Sequence, residues 1–374
     1  MSKVEVRKLG EIEELGLIEM GRGNIISKND ILSTPGNYPV FSSSSSNNGE
    51  IGRYGKYMFD DERITWSIDG GGKLFYRNNI KYSVTNVCGW LKVLDEKKII
   101  SKYLYYLLIN QWQKLNFNYS HKAHPSVIRN EYYVPNIEIK VQEKIVKILD
   151  SFTNLIDALN EELSLRQKQF EYYREKLLTF DDNTNRYCLK EVFETKNGYT
   201  PSTSNKEYWD NGNIPWFRME DIRQNGRILN DSTLHITRAG VKGNRLFKAN
   251  SIILATSATI GEHALILVEH LSNQRFTNFY PNEAFDKKVN MKYIYYYMFI
   301  IDEWCKSHVN QGGFASVDMD GLFKLSIPIP SLAIQQSIVE KLDAFESLIA
   351  SLKEEIALRQ KQYEYYREKL LTFD

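Results

Sequence analysis

Two stretches of this 374-residue chain are nearly identical: residues 166–181 read RQKQFEYYREKLLTFD, and residues 359–374 read RQKQYEYYREKLLTFD. They lie 193 positions apart and differ only by one Phe-to-Tyr exchange. A weaker similarity extends through the rest of each half, where KYLYYLL at 102–108 matches KYIYYYM at 292–298. The chain is therefore a tandem repeat of one unit, and each unit ends in a nearly invariant tail.

Each tail carries a heptad pattern. Apolar residues recur at alternating spacings of four and three over five heptads, without Pro or Gly. This pattern predicts a helix of about 36 residues, ~54 Å long, whose apolar seam pairs with the seam of the other tail. One arginine, Arg166 or Arg359, interrupts each seam at the same heptad position and helps to fix the register. The predicted seam residues are Leu149, Phe152, Ile156, Leu159 and Leu163 in the first tail and Leu342, Phe345, Ile349, Leu352 and Ile356 in the second.

The outward positions of the two tails are identical as well, although a seam requires only its apolar residues to match. Two explanations remain open: a recent duplication, or two copies of one partner that bind two identical surfaces. The second explanation makes these positions candidates for a partner interface. They are Gln167, Lys168, Glu171, Arg174, Gln360, Lys361, Glu364 and Arg367.

Composition restricts the class of protein. With 42% apolar and 25% charged residues the chain has a globular composition, which excludes disordered and collagen-like classes. The three cysteines, Cys88, Cys188 and Cys305, are too far apart for a disulfide framework or a zinc site, so we expect a cytoplasmic protein without a metal. No apolar run approaches the roughly 18 to 20 residues that a membrane span needs.

The segment in front of each tail is divergent and has the pattern of a sheet domain. Short β-branched and aromatic runs at 64–68, 73–76, 251–255 and 263–268 are separated by small polar residues, which predicts a mostly antiparallel sheet. Gly70–Lys73 resembles a phosphate-binding loop, but Leu follows the lysine, and a tight turn between strands explains the segment better. We therefore expect an α+β chain with sheet domains at 1–143 and 183–333 and repeated helices at 144–182 and 334–374.

Charge is segregated between the fronts and the tails. Residues 141–181 and 334–374 each have a net charge of −2, so the remainder carries +5 of the total of +1. A mildly basic front with hydroxyl and amide side chains in its loops permits contacts with phosphates and base edges. The candidate DNA-binding residues are Ser43, Ser44, Asn47, Asn48, Lys73, Arg77, His121, Lys122 and His124 in the first front and Thr200, Ser202, Thr203, Arg218, Lys242, Arg245, Gln274, Arg275 and Gln311 in the second.

The sequence contains no catalytic constellation. It has no GxGxxG before a helix, no GxSxG, no HExxH, and no Asn/Asp-Pro-Pro-Tyr/Phe segment for amino methylation. His121 and His124 lie three residues apart, but Lys122 and Pro125 beside them favour a loop contact over a metal site. We therefore expect a chain that is not itself an enzyme.

The architecture resembles that of one family, the specificity subunit of type I restriction-modification systems. In that family two variable target-recognition domains alternate with two repeated helical regions, and the resemblance covers essentially the whole chain. It rests on SIPIP at 326–330 and QQSIVEKLD at 335–343, and on NGYTPST at 197–203 and SATIG at 257–261 in the second front. The first front keeps YPVFSS at 38–43 but departs from the later motifs, so its base contacts cannot be carried over.

The resemblance implies two α/β target-recognition domains joined by two long helices that form an antiparallel coiled coil, with a pseudo-twofold internal repeat. It implies that the chain reads a bipartite site in double-stranded DNA, with one half-site per domain and the helix pair setting the spacer. It also implies two methyltransferase subunits docked along the helices and restriction/translocase subunits, and places S-adenosylmethionine, ATP and Mg on those partners.

Two alternatives from other classes remain. A duplicated coiled-coil scaffold would have the same tails, but its fronts would bind protein. A nucleic-acid methyltransferase that acts alone is disfavoured by the missing motifs.

Overall fold

A computed structural model of the protein describes residues 4–44, 46–310 and 315–373, and the predicted contact Gln311 lies outside them. The chain forms two compact units. Unit 1 comprises Met1–Glu162 and Leu352–Asp374, and unit 2 comprises Leu163–Ser351. Each unit therefore combines one front with parts of both repeated tails.

Unit 1 is built around a four-stranded antiparallel sheet of order β2-β8-β5-β6 and a three-stranded sheet of order β4-β3-β7, with β1 paired to β9. Its elements in chain order are β1 (Val6–Lys8), α1 (Leu9–Glu14), β2 (Ile18–Arg22), α2 (Lys28–Ser33), β3 (Tyr38–Phe41), β4 (Glu50–Tyr54), β5 (Arg63–Ser67), β6 (Leu74–Arg77), β7 (Ser83–Val84), β8 (Cys88–Val93), α3 (Ser101–Trp112), α4 (Pro125–Glu131), β9 (Tyr133–Pro135) and the first part of α5 (Ile139–Leu178).

Unit 2 is built around a five-stranded sheet of order β11-β18-β15-β16-β13 and a three-stranded sheet of order β14-β12-β17, with β10 paired to β21 and β19 to β20. Its elements after α5 are β10 (Arg186–Cys188), α6 (Leu189–Val192), β11 (Phe193–Asn197), β12 (Ile214–Phe217), α7 (Met219–Asn225), β13 (Ile228–Leu229), β14 (His235–Ile236), β15 (Ser251–Ala255), β16 (His263–Ile266), β17 (Leu271–Ser272), β18 (Phe276–Pro281), α8 (Met291–Ser307), β19 (Val309–Asn310), β20 (Ser316–Val317), α9 (Met319–Lys324), β21 (Ser326–Pro328) and the first part of α10 (Leu332–Leu371).

The two units repeat one topology although their front sequences diverge. The order β2-β8-β5-β6 corresponds to β11-β18-β15-β16, and the parallel pair β3-β7 corresponds to β12-β17. The central strands β5 and β15 are buried at every residue, as expected for strands with neighbours on both sides. The predicted α+β class with mostly antiparallel sheets is confirmed.

The glycine run at 70–72 forms the turn between β5 and β6, as the sequence predicted. Gly71 and Gly72 have φ angles of 81° and 73°, a region that residues with a Cβ rarely adopt. A Cβ on Gly72 would also lie 2.7 Å from the ring of Phe117. The run is therefore explained by backbone geometry.

The long helices pair with each other in both units. In unit 1 Phe152 stacks on Tyr366, and in unit 2 Tyr173 stacks on Phe345, with ring centroids 5.3 Å apart in each pair. Unit 1 joins the first part of α5 to the last part of α10, and unit 2 joins the opposite parts, so the helices are antiparallel. All ten predicted seam residues are buried or half-buried.

The helices begin earlier in the chain than the heptad pattern indicated. Each has 40 residues, and they begin at Ile139 and Leu332, whereas the sequence predicted starts at 144 and 334. The additional residues, 139–143 in α5 and 332–333 in α10, precede the apolar seam, and a heptad pattern does not include them. In the part of the chain that the structure describes, no helix combines the length and apolar character that crossing a membrane requires.

In unit 1 a carboxylate on α5 holds α3 against it. Asp150 accepts a hydrogen bond from the Tyr106 hydroxyl at 2.6 Å and forms an ion pair with the Lys102 ammonium at 2.9 Å. Both partners belong to the repeated segment KYLYYLL. This carboxylate is one of the polar contacts that fix the front on its helix.

Unit 2 repeats this arrangement between α10 and α8 and adds a second carboxylate. Asp343 lies 2.6 Å from the Tyr296 hydroxyl and 2.8 Å from the Lys292 ammonium. Glu346 Oε2 lies 2.9 Å from the same hydroxyl, and burial raises the pKa of the Glu346 carboxyl. The corresponding position in unit 1 is Thr153, so at this position only unit 2 carries a half-buried acid.

Replacing Glu346 by Gln should raise the stability of the protein at neutral pH. Because the folded state binds the Glu346 proton more tightly than the unfolded state, the free energy of unfolding falls as pH rises from the ordinary carboxyl pKa of 4.5 through the raised value. Glu346→Gln removes the charge and keeps a side-chain carbonyl that accepts the tyrosine bonds. In thermal unfolding, the variant should have a higher melting temperature than the wild type at about pH 7.5. Below about pH 4 the two melting temperatures should be equal. The exposed Glu364→Gln is the control, and equal shifts in both variants would contradict the role of burial.

Candidate nucleic-acid interface

In unit 2 the loops that follow β11, β12 and β17 are joined by backbone hydrogen bonds. The Tyr199 amide donates to the Ser272 carbonyl at 2.8 Å, and the Asn273 amide donates to the Phe217 carbonyl at 3.0 Å. Gly198 is required at this crossing, because a Cβ there would lie 2.1 Å from the carbonyl oxygen of Asn273. Three loops from separate parts of the front therefore converge at one place.

This convergence brings several predicted residues together. The Thr200 hydroxyl donates to Gln274 Oε1 at 2.5 Å. The Lys242 amide donates to the Tyr199 hydroxyl at 2.7 Å, and its ammonium lies 4.9 Å from the centroid of the same ring. Arg275 follows Gln274 in the β17–β18 loop and is exposed. Hydroxyl, amide and cationic groups thus share one surface.

The β15–β16 loop belongs to the same cluster. The Thr256 amide donates to the Arg275 carbonyl at 2.9 Å, and the Thr256 carbonyl accepts from the Val317 amide at 2.9 Å. Val317 lies in β20, so the connection between α8 and α9 also borders the cluster. This connection contains Gln311, which is outside the described residues.

The remaining candidates of unit 2 are less tightly placed. Ser202 and Thr203 are exposed in the loop after β11, where the Ser202 hydroxyl lies 2.9 Å from that of Ser204. Arg218 follows β12, is half-buried and lies 3.9 Å from Glu220. Arg245 is exposed beyond β14.

Unit 1 builds the corresponding cluster from different side chains. The Thr85 hydroxyl donates to Ser42 Oγ at 2.9 Å, and the Ser43 hydroxyl donates to the Val87 carbonyl at 2.8 Å. The β3–β4 and β7–β8 loops are therefore in contact. The Lys122 ammonium reaches Asp69 Oδ1 at 2.8 Å, which joins the α3–α4 loop to the β5–β6 turn.

Other candidates of unit 1 have local roles. His124 is the N-cap of α4, and its Nδ1 accepts from the Ser126 amide at 3.4 Å. The Ser44 hydroxyl lies 2.9 Å from the Ser46 hydroxyl, and the Lys73 ammonium lies 5.4 Å from the Phe75 ring. Asn47 and Asn48 are exposed, and His121 is exposed in the α3–α4 loop.

Arg77 requires a correction, because its side chain is inside the domain. It is 2% exposed, and its guanidinium lies 3.5 Å from the centroid of the Phe41 ring. It donates to Thr65 Oγ1 at 3.1 Å and to the Asn48 carbonyl at 2.6 Å. Burial lowers the pKa of the guanidinium to about 10, so it remains charged at neutral pH. Arg77 therefore supports the Asn47–Gly49 loop and is not placed to contact DNA.

Two of the eight predicted partner-interface residues also face inwards. The guanidinium of Arg174 lies 4.4 Å from the ring of Phe299 on α8. Arg367 is 5% exposed and donates to Gln113 Oε1 at 2.5 Å. Both arginines pack on the front of their own unit, because their long stems reach across from the helix. The six others are exposed: Gln167, Lys168, Glu171, Gln360, Lys361 and Glu364.

The structure adds residues to this face that the heptad analysis passed over. Leu165 is 59% exposed and Tyr172 is 58% exposed, and their repeats Leu358 and Tyr365 are 51% and 60% exposed. A spacing of seven residues puts each pair on one side of its helix. The sequence signal that identifies them is an apolar residue that lies outside the a/d seam and recurs in both tails. The described residues contain no group of three His, Cys, Asp or Glu side chains that could hold a metal ion.

Comparison with known proteins gives consistent matches. A family model for the type I restriction modification DNA specificity domain matches residues 1–165 and 182–358. The chain is 36% identical to the EcoR124I/EcoR124II specificity subunit of Escherichia coli over 305 residues, which are 75% of this chain and 72% of that one. It is 52% identical to the EcoprrI specificity subunit of Escherichia coli over 196 residues, 50% of this chain and 49% of that one. The S subunit from M. genitalium matches with a TM-score of 0.59 at 16% identity, over 100% of this chain and 97% of that one, and supports the fold alone.

Removing the buried guanidinium of Arg77 should loosen the loop above it. Hydrogen bonds to a charged donor contribute about 1.5–3 kcal/mol, so in Arg77→Met we expect amide hydrogen exchange at residues 46–50 to accelerate about tenfold or more. Arg77→Lys should show an intermediate effect, because it keeps the charge and loses the forked geometry. Arg7→Met, at an arginine that pairs with the exposed Glu5 outside this loop, is the control. Unchanged exchange in Arg77→Met would contradict the supporting role.

Proposed function

The chain belongs to the type I restriction-modification DNA specificity family, and on that premise we propose that it reads a bipartite site in double-stranded DNA, one half-site per unit. The observation that carries the proposal is the convergence of the same loops in both units. A Cβ on Gly23 would lie 1.9 Å from the Val84 carbonyl, as one on Gly198 would lie 2.1 Å from that of Asn273. Both units thus present loops after equivalent strands.

The side chains on these equivalent loops differ, which supports different half-sites. Unit 1 offers mainly Ser and Asn groups on the β3–β4 loop, whereas unit 2 offers Thr200, Gln274 and Arg275. Amide and guanidinium groups can form paired hydrogen bonds with base edges in the major groove. The strand order is the same in both units, but the side chains on the loops differ. The proposed DNA site is therefore asymmetric.

The proposed partners of the helices are two methyltransferase subunits. Each helix carries the same exposed stripe, Leu165, Lys168 and Tyr172 on α5 and their copies on α10. Aromatic and apolar side chains surrounded by polar ones are typical of interface anchors. In this proposal the helix pair sets the spacer between the half-sites. The chain is non-catalytic, and S-adenosylmethionine, ATP and Mg bind to the methyltransferase and restriction subunits.

Methylome sequencing tests the bipartite site directly. Cells that express the chain with its methyltransferase partner should show one methylated motif composed of two short half-sites separated by unread positions. In vitro, affinity for this duplex should fall steeply as the salt concentration rises, because phosphate contacts release counterions. A continuous motif, or the absence of a motif, would contradict the proposal.

Alanine substitutions at the two exposed tyrosines test the docking surface. Truncation of an interface anchor costs about 2 kcal/mol or more, so Tyr172→Ala should weaken one docking site roughly 30-fold or more. Native mass spectrometry should then record one bound methyltransferase subunit in place of two, and Tyr365→Ala should give the same result. The double variant should bind none. Tyr133→Ala, at an exposed tyrosine of β9, is the control, and two bound subunits in every variant would contradict this surface.

A further inference from the structure

The α3–α4 loop of unit 1 displays an aromatic side chain at the tip of an ordered turn. Tyr119 is 82% exposed. Asn118 organises the turn around it: its Oδ1 accepts from the amides of Ser120 at 2.9 Å and His121 at 3.0 Å, and its own amide donates to the His121 carbonyl. This arrangement is an Asx turn. The turn therefore orders the backbone that carries the exposed ring.

A column of stacked rings leads from the core to the same loop. Phe117 stacks on the buried Tyr132, with centroids 6.3 Å apart, and the imidazole of His121 stacks on Phe117 at 5.2 Å and 10°. Tyr132 is 0% exposed and Phe117 is 9% exposed, whereas His121 is exposed. The column therefore begins in the core and ends in solvent.

Unit 2 has a second stack of this kind, in the connection between α8 and α9. His308 lies on Trp304 with centroids 4.2 Å apart and planes within 9°. Trp304 is half-buried, and its ring lies 3.0 Å from the position that a Cβ on Gly321 would occupy. The two fronts reach the same arrangement with different residues, which makes a shared requirement a better explanation than inheritance of one motif.

Both stacks border the loop clusters of the candidate interface. In unit 1 Lys122, next to His121, pairs with Asp69 of the β5–β6 turn, and its ammonium lies 5.1 Å from the Tyr119 ring. In unit 2 the Val317 amide, on the strand that pairs with β19 after His308, is bonded to Thr256 at 2.9 Å. The stacks therefore lie beside groups already suited to phosphates and base edges.

We propose that each unit uses its exposed histidine, together with Tyr119 in unit 1, to stack on a base of its half-site. This inference rests on the proposed function. A side chain reaches the face of a base only where the duplex is partly unstacked, by wedging at a base step or by filling the space beside an extruded base. Every base has a π-face, so the stack contributes affinity and positions the loop, while the polar side chains beside it discriminate between bases.

The test uses the full chain with its methyltransferase partner and duplexes that carry the methylated motif, with 2-aminopurine at successive positions. Stacking on one base contributes about 1–3 kcal/mol, so Tyr119→Ala and His121→Ala should each weaken binding of the motif about 5- to 150-fold. The change in 2-aminopurine fluorescence on binding should be lost at one position of the first half-site. Tyr119→Phe, which keeps the ring, should retain wild-type affinity. His308→Ala should affect the second half-site only.

The control is Tyr133→Ala, which removes an exposed tyrosine of β9, outside the α3–α4 loop. If Tyr119→Ala and His121→Ala bind the motif as tightly as this control, the inference is wrong while the proposed function stands. Equal losses on the motif and on random duplex would also overturn it, since they indicate phosphate contact alone. If the wild-type chain binds the motif and random duplex equally, the proposed function itself fails.

Discussion

The carboxylates of Asp150 and Asp343 link each front to a long helix and so help to position each candidate interface. Each is partly buried, with 27% and 36% of its side chain exposed, and each takes a tyrosine hydroxyl and a lysine ammonium from one short helix. A partly desolvated charge is costly without such partners, so α3 and α8 have few alternative positions on the long helices. Helix α3 in turn contacts the β5–β6 turn, because the Trp112 indole donates to the Gly71 carbonyl at 2.8 Å.

The interiors beneath the two loop clusters differ in chemistry. Unit 1 places the charged Arg77 between the rings of Phe41 and Phe75, where cation–π contacts offset part of its desolvation. Unit 2 has Ile266 at the corresponding end of β16 and instead buries His270, which lies 3.0 Å from Asn278. Burial lowers the pKa of His270 to about 4, so this group is neutral. The same strand order thus accommodates two different sets of buried side chains. The loops next to these strands can therefore differ between the units.

The sequence predicted the features that depend on periodicity and missed those that depend on side-chain direction. The heptad seam gave the helix pair and its buried residues, and the glycine run gave the turn. The pattern of charge could not indicate that Arg77, Arg174 and Arg367 point inward, because a long arginine stem can reach a neighbouring element from an outward-looking position. Tyr119 and His308 were missed for a related reason. An aromatic residue in a polar loop has no periodic signature, and its stacking partner becomes visible only in the folded chain.

Packing inside the units explains only part of the sequence identity between the two tails. Arg174 and Arg367 are used inside their units, so packing alone accounts for their recurrence. Packing does not account for Leu165, Tyr172 or their copies, which are more than half exposed and lie outside the seam. If each unit duplicated as a whole, its front and tail have had the same time to diverge, yet only the fronts have done so. Exposed apolar residues that recur outside the seam on both helices are therefore the strongest candidates for contact with a partner.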